Sequence, residues 1–426
     1  MEFLSLPQLQ SAMGLFTFCL LAWLLSERRG QFPWSQFGIA LALQVAIAAI
    51  FIRIPAARDR LDGLNGAVQA LEESTQAGTT FLFGYLGSTD NLPFTSADGN
   101  AAGFFIFAFQ ALPLLVFVSA LAAVLWHWGV LKIIIRGFAF VVSKLLRVSG
   151  AVSLAASANI LLGQTEAPLL IRPYLAKITR SEFFMVMTTG YATVAGTVMA
   201  LYAFLLTPLD PSMLGHILVA SLISVPAALL IAQIMVPTTP DEIPTRAEEV
   251  SDGFQYDGTI DAFCAGATEG GKLWANIVIA ILAFVALAAL VNIMLESFVP
   301  FVLGEPLTLE RLLGWFFAPF VWLAGVPADQ MFIAGELMGI KTALNEVVSY
   351  AVLADLPEGV LDERSTLIMV YAMCGFANIG SLGIVIGGLS ALEPARRKEI
   401  IELAPKALVA GTLATLSSGA AIGLVW

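Results

Sequence analysis

The chain has 426 residues, of which 58% are apolar and only 12% are charged. Soluble proteins carry about 25% charged residues, so this density is too low to cover a water-facing surface and predicts an integral membrane protein with many spans. The net charge of −11 excludes a basic surface for nucleic acid, and no nucleic-acid partner is expected.

Eight segments are long and apolar enough to cross a bilayer as helices, which needs about 20 residues each. Six are continuous, over residues 9–26, 35–54, 103–127, 211–236, 268–297 and 404–426. Two more, 181–207 and 363–390, carry glycine and polar residues at mid-length. Three further segments have the residue spacing of amphipathic helices at a membrane surface, namely 56–83, 129–147 and 307–326.

The distribution of basic residues predicts the orientation, because lysine and arginine are enriched in cytoplasmic loops. Basic clusters follow the first and third spans and precede the last one: Arg28, Arg29, Lys132, Arg136, Lys144, Arg147, Arg396, Arg397 and Lys398. One count of the spans places all three clusters inside and both chain termini outside. The polar segment 237–258 also falls inside, as a cytoplasmic linker.

An internal repeat relates the two interrupted spans. Residues 190–195 read Gly-Tyr-Ala-Thr-Val-Ala, and residues 375–380 read Gly-Phe-Ala-Asn-Ile-Gly. An apolar stretch with an amide and a glutamate precedes each copy. The span count gives the copies opposite orientations. Inverted repeats with interrupted helices are the usual construction of secondary transporters, which bind their substrates at the interruptions.

The two stretches before the repeats are predicted to be re-entrant helical hairpins over residues 149–176 and 329–355. The tip of the first should lie at residues 163–166, because Gly163 and Pro168 both weaken a continuous helix. A polar surface loop is the alternative. Glu166 should face protein or a water-filled cavity, because a carboxylate is unfavourable at membrane depth.

The second hairpin contains Glu346, which we expect to bind substrate. It also contains Glu336 and Lys341, for which an ion pair that holds the hairpin is favoured over a substrate role for Glu336. Neither interruption contains an arginine, so the site favours a neutral, planar solute rich in hydroxyl groups over an anion. An organic cation fits this chemistry equally well.

Thr193 and Asn378 occupy the same position of the repeat. Unwound backbone at such a position frees carbonyl oxygens that can bind a hard cation together with a side-chain oxygen. Asn159 offers a further side-chain oxygen. Alternatively, Thr193 only bonds back to its own helix.

These motifs resemble those of the concentrative nucleoside transporters. The matching segments are 105–109, 163–169, 190–196, 313–319, 345–346 and 374–381. The resemblance implies an all-α homotrimer of the eight-span bacterial branch in the cytoplasmic (inner) membrane. It also implies sodium-coupled symport, with a transport domain that moves like an elevator against a trimeric scaffold.

The resemblance also implies roles for individual residues. Nucleosides of the uridine, cytidine and adenosine class would be the substrate, and sodium would be the coupling ion, with no other cofactor. The nucleobase would face Gln164, Thr165 and Glu166. The ribose would bind Glu346, Asn378 and Ser381, with Phe376 and Val198 packed around the nucleoside. Sodium would bind the side chains of Asn159 and Thr193 and the backbone carbonyls of Leu162 and Val194.

Five units follow from this reading of the chain. Residues 1–148 hold the N-terminal spans, an interfacial helix and part of the scaffold, and residues 149–236 hold the first repeat. After the linker 237–258, residues 259–326 hold a scaffold span and an interfacial helix, and residues 327–426 hold the second repeat.

Several alternatives stay open at this stage. A proton carried by Glu166 or Glu346 could replace sodium, and an elevator carrier could take another small polar solute such as an amino acid. A carrier of acidic amino acids would need a buried arginine at an interruption, and composition does not exclude a passive channel. An enzyme is not expected, because the two histidines lie far apart, at positions 127 and 216, and provide no nucleophile–base pair or metal site.

Overall fold

The computed structural model describes residues 6–57, 63, 65–88, 105–239, 254–298, 301–302 and 305–426. The chain is helical, which confirms the all-α class. Its α-helices are α1 (Leu6–Leu24), α2 (Trp34–Arg53), α3 (Asn65–Phe83), α4 (Phe107–Gln110), α5 (Leu114–His127), α6 (Val130–Leu146), α7 (Gly150–Ala158), α8 (Ala167–Leu170), α9 (Arg180–Ala192), α10 (Gly196–Leu206), α11 (Met213–Met235), α12 (Thr259–Phe298), α13 (Leu309–Ala324), α14 (Met331–Ala343), α15 (Glu346–Ala354), α16 (Glu363–Met373), α17 (Ile379–Leu392) and α18 (Arg397–Val425). There are also short 3-10 helices at Gly84–Leu86, Arg172–Tyr174 and Pro394–Arg396, and a two-residue antiparallel pair, β1 (Phe301–Val302) with β2 (Glu305–Pro306).

Six helical segments of the described chain are long and apolar enough to cross a membrane: Trp34–Arg53, Phe107–His127, Arg180–Leu206, Met213–Met235, Thr259–Phe298 and Pro394–Val425. The predicted spans 9–26 and 363–390 are also helical, as α1 and as the α16–α17 pair. Two helices start earlier than predicted, at 259 rather than 268 and at 397 rather than 404. Their first turns carry charged residues, so a prediction based on uninterrupted apolar residues places the start of each helix too late. The total of eight spans stays a prediction.

Both interrupted spans are broken where the repeat predicts. Residues 193–195 separate α9 from α10, and residues 374–378 separate α16 from α17. Thr193 (φ −116°, ψ 168°) and Asn378 (φ −137°, ψ 164°) both have extended backbone. The Oδ1 atom of Asn378 accepts a hydrogen bond from the Ser381 backbone N–H at 2.8 Å, which caps the start of α17.

The second predicted hairpin is present as α14 and α15, which pack against each other. Leu344 and Asn345 form its tip. Asn345 caps α15 by accepting from the Val348 backbone N–H at 3.0 Å. Across the two arms, the Ser349 hydroxyl donates to the Leu337 carbonyl at 2.8 Å. These bonds hold the tip and the arms in one geometry.

The first predicted hairpin differs in its second arm. Its first arm is α7, which is buried along its length, and its tip follows at residues 159–166. The second arm is only the single turn of α8 and a 3-10 turn, not the half-helix expected over this segment. Pro173 explains the difference, because in a helix continued from α8 it would lack the backbone N–H for a hydrogen bond and clash with the preceding turn. Pro168 lies in the first turn of α8, where proline is tolerated.

The two hairpins open toward opposite ends of α18. At its start, Arg396 donates from Nη1 to the carbonyls of Leu175 and Ile178, both at 2.8 Å, at the base of the first hairpin. At its other end, Arg364 donates from Nη2 to the Gly423 carbonyl at 2.7 Å. Arg364 begins α16, beside the base of the second hairpin. This is the inverted arrangement that the repeat predicts.

Arg364 also brings the two ends of the chain together. Its Nη2 atom donates to the Pro7 carbonyl at 3.1 Å and to the Ser11 hydroxyl at 2.9 Å, and its Nη1 atom donates to the Gly325 carbonyl. The first and last described helices therefore meet on one face. That this face lies outside the cell stays a prediction.

An ionic cluster occupies the opposite face. Glu27, in the loop between α1 and α2, pairs with Arg180 at 2.9 Å and with Lys406 at 2.7 Å. Arg180 also pairs with Glu402 at 2.6 Å. The cluster therefore joins the first loop to the starts of α9 and α18.

Helix α18 lies at the centre of the bundle, where it packs against α1, α2, α9, α11, α16 and α17. Helices α5 and α12 form a separate pair. A Cβ atom on Gly266 or Gly270 of α12 would lie 2.6–2.7 Å from atoms of α5, so these glycines permit close contact of the two backbones. Much of α12 away from α5 is apolar and exposed, as at Ile279, Leu282 and Ile293.

Some predictions fall partly outside the described residues. Of the interfacial segment 56–83, the structure describes a helix from Asn65 onward, and the charged residues at 58–62 lie outside it. Most of the linker 237–258 also lies outside, at 240–253. The other two interfacial segments are helical, as α6 and α13. The division into five units stays a prediction.

Candidate functional site

The Glu346 carboxylate is the centre of a buried polar cluster at the tip of the second hairpin. The side chain is the first residue of α15, and Glu346 is only 4% exposed. Its Oε1 atom accepts from the Tyr202 hydroxyl at 2.7 Å, and its Oε2 atom accepts from Asn378 Nδ2 at 3.0 Å. One carboxylate thus connects the second hairpin, α10 and the second interruption.

The capping bond of Asn378 fixes the direction of its amide. Because Oδ1 accepts from the Ser381 backbone N–H, the Nδ2 group is directed at Glu346. Ser381 is buried beside it. The structure therefore brings together the three residues predicted to bind ribose. Val198, also buried, lies one turn before Tyr202 on α10.

Lys341 is completely buried, and its Nζ atom has no hydrogen-bond partner within the described part of the chain. The predicted ion pair with Glu336 is wrong, because residues five apart lie about 140° around a helix from each other. Lys341 and Glu346 are both buried, so the second hairpin holds one basic and one acidic side chain near its tip.

The tip of the first hairpin is closed by Glu166. Its Oε2 atom accepts from the Gly163 backbone N–H at 3.1 Å. Glu166 and Thr165 line a cavity of about 300 Å³ between this tip and the α5–α12 pair. A carboxylate in this position faces a cavity, as the sequence predicts, so the tip is not a loop on the outer surface.

Leu162, a predicted cation ligand, also lines the cavity, and most of the remaining wall comes from residues that sequence reasoning did not single out. Trp126 of α5, Tyr256, and Lys272 and Asn276 of α12 contribute polar groups. Nothing in the sequence links these residues to the hairpin, because none of them belongs to the repeat. As far as the described residues define it, the wall does not include Glu346, Asn378 or Ser381.

Two buried amides meet at the first interruption. Asn159 Oδ1 and Gln164 Oε1 are both buried and have no hydrogen-bond donor among the described residues. Both side chains lie against Gly190, where a Cβ atom would be 3.9 Å from Asn159 Oδ1 and 3.1 Å from Gln164 Cβ. Asn159 Nδ2 donates to the Thr189 hydroxyl at 3.3 Å, which leaves its oxygen available.

The remaining predicted cation ligands surround the same interruption. Thr193 donates its hydroxyl to the Thr189 carbonyl at 2.8 Å, which is the back-bonded geometry that the sequence left as an alternative. The hydroxyl oxygen still has free lone pairs. The carbonyls of Leu162 and Val194 accept no backbone hydrogen bond in the described part of the chain. These oxygens are the neutral, hard donors that suit sodium.

The two interruptions touch each other. The Phe376 backbone N–H donates to the Thr193 carbonyl at 3.4 Å. A Cβ atom on Gly375 would lie 2.8 Å from the Tyr191 carbonyl oxygen and 2.7 Å from Thr415 Cγ2. Only glycine fits at this crossing without displacing a neighbour, which explains the glycine at this point of the second repeat.

Tyr202 is the main site residue that sequence reasoning missed. It is fully buried, and its ring lies 5.0 Å from that of Tyr350. A signal was present in the sequence, since a tyrosine inside an apolar span needs an acceptor for its hydroxyl. The identity of that acceptor depends on the tertiary fold. Among the described residues, no group of three or more His, Cys, Asp or Glu side chains is placed to hold a metal.

Two opposed hairpins that meet two interrupted helices define the chain as a membrane transporter of the secondary-transporter type. The chain also matches known families of membrane transporters. Residues 13–86 and 216–423 match the families described as Na+ dependent nucleoside transporter N-terminus and C-terminus, and residues 108–209 match Gate, described as nucleoside recognition.

Similar proteins extend over the whole chain. The nucleoside permease NupC of Helicobacter pylori is 35% identical over 418 residues, which is 97% of each chain. Human solute carrier family 28 member 3 is 33% identical over 98% of this chain and 60% of its own length. The structure of CNTnw in an inward-facing substrate-bound state matches with a TM-score of 0.87 at 37% identity over 98% of each chain. The chain belongs to the concentrative nucleoside transporter family and is a transporter, not an enzyme.

Proposed function

We propose that this chain imports nucleosides by sodium-coupled symport across a bacterial cytoplasmic membrane. The observation that carries the proposal is the buried Glu346 carboxylate, held between Tyr202 and Asn378 at the hairpin tip. A carboxylate oxygen accepts more than one hydrogen bond, so the hydroxyl groups of a ribose can add to or replace these donors. Burial makes such bonds strong, because water does not compete for them.

The nucleobase would bind at the other hairpin. Thr165 and Glu166 line the 300 Å³ cavity, and Gln164 lies behind them against Gly190. The amide and the carboxylate together supply donors and acceptors for the polar edge of a base, while Phe376 and Val198 supply apolar surface. Since every base has such an edge, we expect the site to accept uridine, cytidine and adenosine.

Sodium would bind at the first interruption. The residues fit the ion, because the unpartnered Oδ1 of Asn159 and the free carbonyls of Leu162 and Val194 need a positive partner, and the Thr193 hydroxyl can complete the set. Gln164 shares Gly190 with Asn159, so an ion bound at Asn159 would also order the amide that meets the base. This shared contact is the proposed basis of coupling.

The available driving force is sufficient for concentrative uptake. One charge moving across the membrane gains about 2.3 kcal/mol per 100 mV. A tenfold sodium gradient adds about 1.4 kcal/mol. The sum of about 3.7 kcal/mol supports accumulation of roughly several hundredfold for one ion per nucleoside.

Alternating access would follow an elevator motion within a homotrimer. The close-packed α5–α12 pair is suited to be the scaffold, and the exposed apolar surface of α12 is suited to contact neighbouring subunits. The interrupted helices pack around α18, the hairpins pack against the interrupted helices, and all of them would move together. In such a motion the first hairpin would slide past the α5–α12 pair, and the cavity lies between these two parts.

Proton coupling is the second candidate, and the burial of the Glu346 carboxylate favours it. A carrier for amino acids or another small polar solute is a further alternative, although neither interruption contains an arginine. The deciding experiment is uptake into proteoliposomes of labelled uridine, cytidine, adenosine, glutamate and serine, with sodium and pH gradients imposed separately. Uridine uptake that follows the sodium gradient at constant pH supports the proposal. Uptake that follows pH and ignores sodium overturns sodium coupling, and uptake of glutamate or serine without uridine overturns the substrate.

A further inference from the structure

Three basic side chains on and just after helix α6 are not neutralised within the described part of the chain. Among the described residues, Arg136, Lys144 and Arg147 make no ion pair. No aspartate or glutamate occurs from residue 99 to residue 165, although the whole chain has a net charge of −11. By contrast, Arg180 and Lys406, in the ionic cluster at the starts of α9 and α18, are neutralised by glutamates of the chain. The three cations are therefore available to an external anion.

The exposed side of α6 mixes these cations with large apolar side chains. Its buried face consists of Leu131, Ile135, Val142 and Leu146. On the opposite side, Ile133 is 70% exposed and Phe140 is 64% exposed. By helical spacing, Arg136 and Lys144 fall on that same side, and the exposed Arg147 follows directly after the helix. Lys144 Nζ lies 5.6 Å from the centre of the Phe140 ring, so cation and ring are adjacent.

We propose that this stripe binds the anionic lipid headgroups of the membrane surface on which α6 lies. Apolar side chains flanked by lysine and arginine are the combination that inserts between lipids while pairing with their phosphates. A protein partner would match the charge but would not require two large apolar side chains spaced along a single helix stripe. The headgroup phosphate is therefore the occupant that satisfies both features.

The position of α6 gives such binding a consequence for transport. Only residues 147–149 separate its end from α7, the first arm of the first hairpin. Arg147 takes a left-handed conformation there (φ 53°), and Ser149 caps α7 by accepting from the Val152 backbone N–H at 3.4 Å. A helix held by lipid would thus hold the base of the hairpin through a short turn. This consequence rests on the proposed function, whereas the lipid binding does not.

The test compares phosphatidylglycerol with phosphatidylcholine on the purified full-length protein. The shift in melting temperature is measured as each lipid is titrated in detergent. We expect phosphatidylglycerol to stabilise the parent more, and Arg136→Gln/Lys144→Gln to weaken its apparent affinity about 25-fold, since each basic residue at an anionic surface contributes about fivefold. The charge-conserving pair Arg136→Lys/Lys144→Arg should keep the preference.

A matched control removes two exposed basic residues elsewhere on the same face, with Arg397→Gln/Lys398→Gln. It should keep the preference for phosphatidylglycerol. Equal shifts by both lipids in the parent, an unchanged preference in the α6 double variant, or an equal loss in the control would each overturn the proposal. Because melting is read without nucleoside, failure of uridine transport leaves this result unaffected, and uridine uptake into liposomes with and without phosphatidylglycerol tests the hairpin consequence separately.

Discussion

The amide of Asn378 donates to Glu346 at 3.0 Å while its own oxygen caps α17, so one side chain both ends the second interruption and orients the buried carboxylate. The two functions are inseparable. A change in the hairpin tip is transmitted to the start of α17, and a change in α17 is transmitted to the carboxylate. The site is therefore a junction between the second hairpin and the second interrupted helix.

Replacing Glu346 with glutamine should strongly reduce the affinity for nucleosides. The glutamine amide is a donor, so it faces either the Tyr202 hydroxyl or Asn378 Nδ2, which are donors themselves. Hydrogen bonds to a charged group contribute about 1.5–3 kcal/mol, so we expect uridine affinity to fall by about tenfold to a hundredfold. Uridine titration calorimetry measures the effect. Glu336→Gln, on the same hairpin but outside the cluster, is the control, and parental affinity in Glu346→Gln would refute the assignment.

The tyrosine pair offers a finer test, because the two hydroxyls serve different partners. Tyr202 donates to Glu346 at 2.7 Å, whereas Tyr350 donates to the Val370 carbonyl at 2.8 Å. We expect Tyr202→Phe to weaken uridine binding about tenfold. Tyr350→Phe should lower the melting temperature and leave the uridine dissociation constant unchanged. Equal effects of the two substitutions on binding would show that Tyr202 acts only by packing.

Substitutions can distinguish an ion-binding role of Thr193 from its hydrogen bond to the Thr189 carbonyl of its own helix. Thr193→Val keeps the shape but removes the oxygen, and we expect the sodium concentration for half-maximal uridine uptake to rise about tenfold, equivalent to roughly 1.4 kcal/mol. Thr193→Ser keeps the hydroxyl and should retain the parental midpoint. If valine leaves the sodium midpoint unchanged, Thr193 is not an ion ligand and only bonds to the Thr189 carbonyl.

The contact between the interruptions predicts a strong effect at Gly375. A Cβ atom there would overlap the Tyr191 carbonyl and Thr415, so Gly375→Ala should destabilise the protein by about 1–3 kcal/mol and lower its melting temperature. Gly387→Ala is the matched control on α17, because a Cβ atom there meets nothing within 4 Å. A melting temperature that falls equally in both variants would mean that the crossing is not tightly packed.

The ionic cluster predicts sensitivity to acid. Hydrogen bonding to Arg180 lowers the pKa of Glu27 from 4.5 to about 2, with Lys406 acting in the same direction and partial burial opposing both. Because the folded-state pKa is depressed, this stabilisation is complete above about pH 4.5 and is lost as the pH falls toward 2. The melting temperature of the parent should therefore fall over this range. Glu27→Gln should start lower and fall less, and parallel curves would exclude this contribution.

The sequence predicted two kinds of feature: motifs that occur twice in the chain, and polar residues or glycines that interrupt an apolar segment. Glycine and a polar residue inside an apolar span located both interruptions, and the amide and glutamate at Asn345 and Glu346 helped to identify the second hairpin. Contacts between distant segments could not be predicted in this way. The partner of Tyr202, the orientation of Lys341 and the scaffold side of the cavity each depend on which helices pack against each other. Apolar spans give little information about which of their sides contacts which neighbouring helix.

The second arm of the first hairpin was also mispredicted, for a local reason. Its composition is apolar enough for a half-helix, but Pro173 interrupts the segment, which forms only short turns. The proline is a signal that the sequence itself contains. The ligand assignments within the site remain predictions that the substitutions above address.

Arg364 constrains the order in which the bundle can close. Its guanidinium group bonds carbonyls at residues 7, 325 and 423, which lie far apart in the sequence. A half-buried guanidinium group that lacks some of these partners leaves its N–H donors unsatisfied. This end of the bundle should therefore close only after residue 423 has been synthesised, and a chain truncated before Gly423 should remain an open assembly intermediate that is degraded.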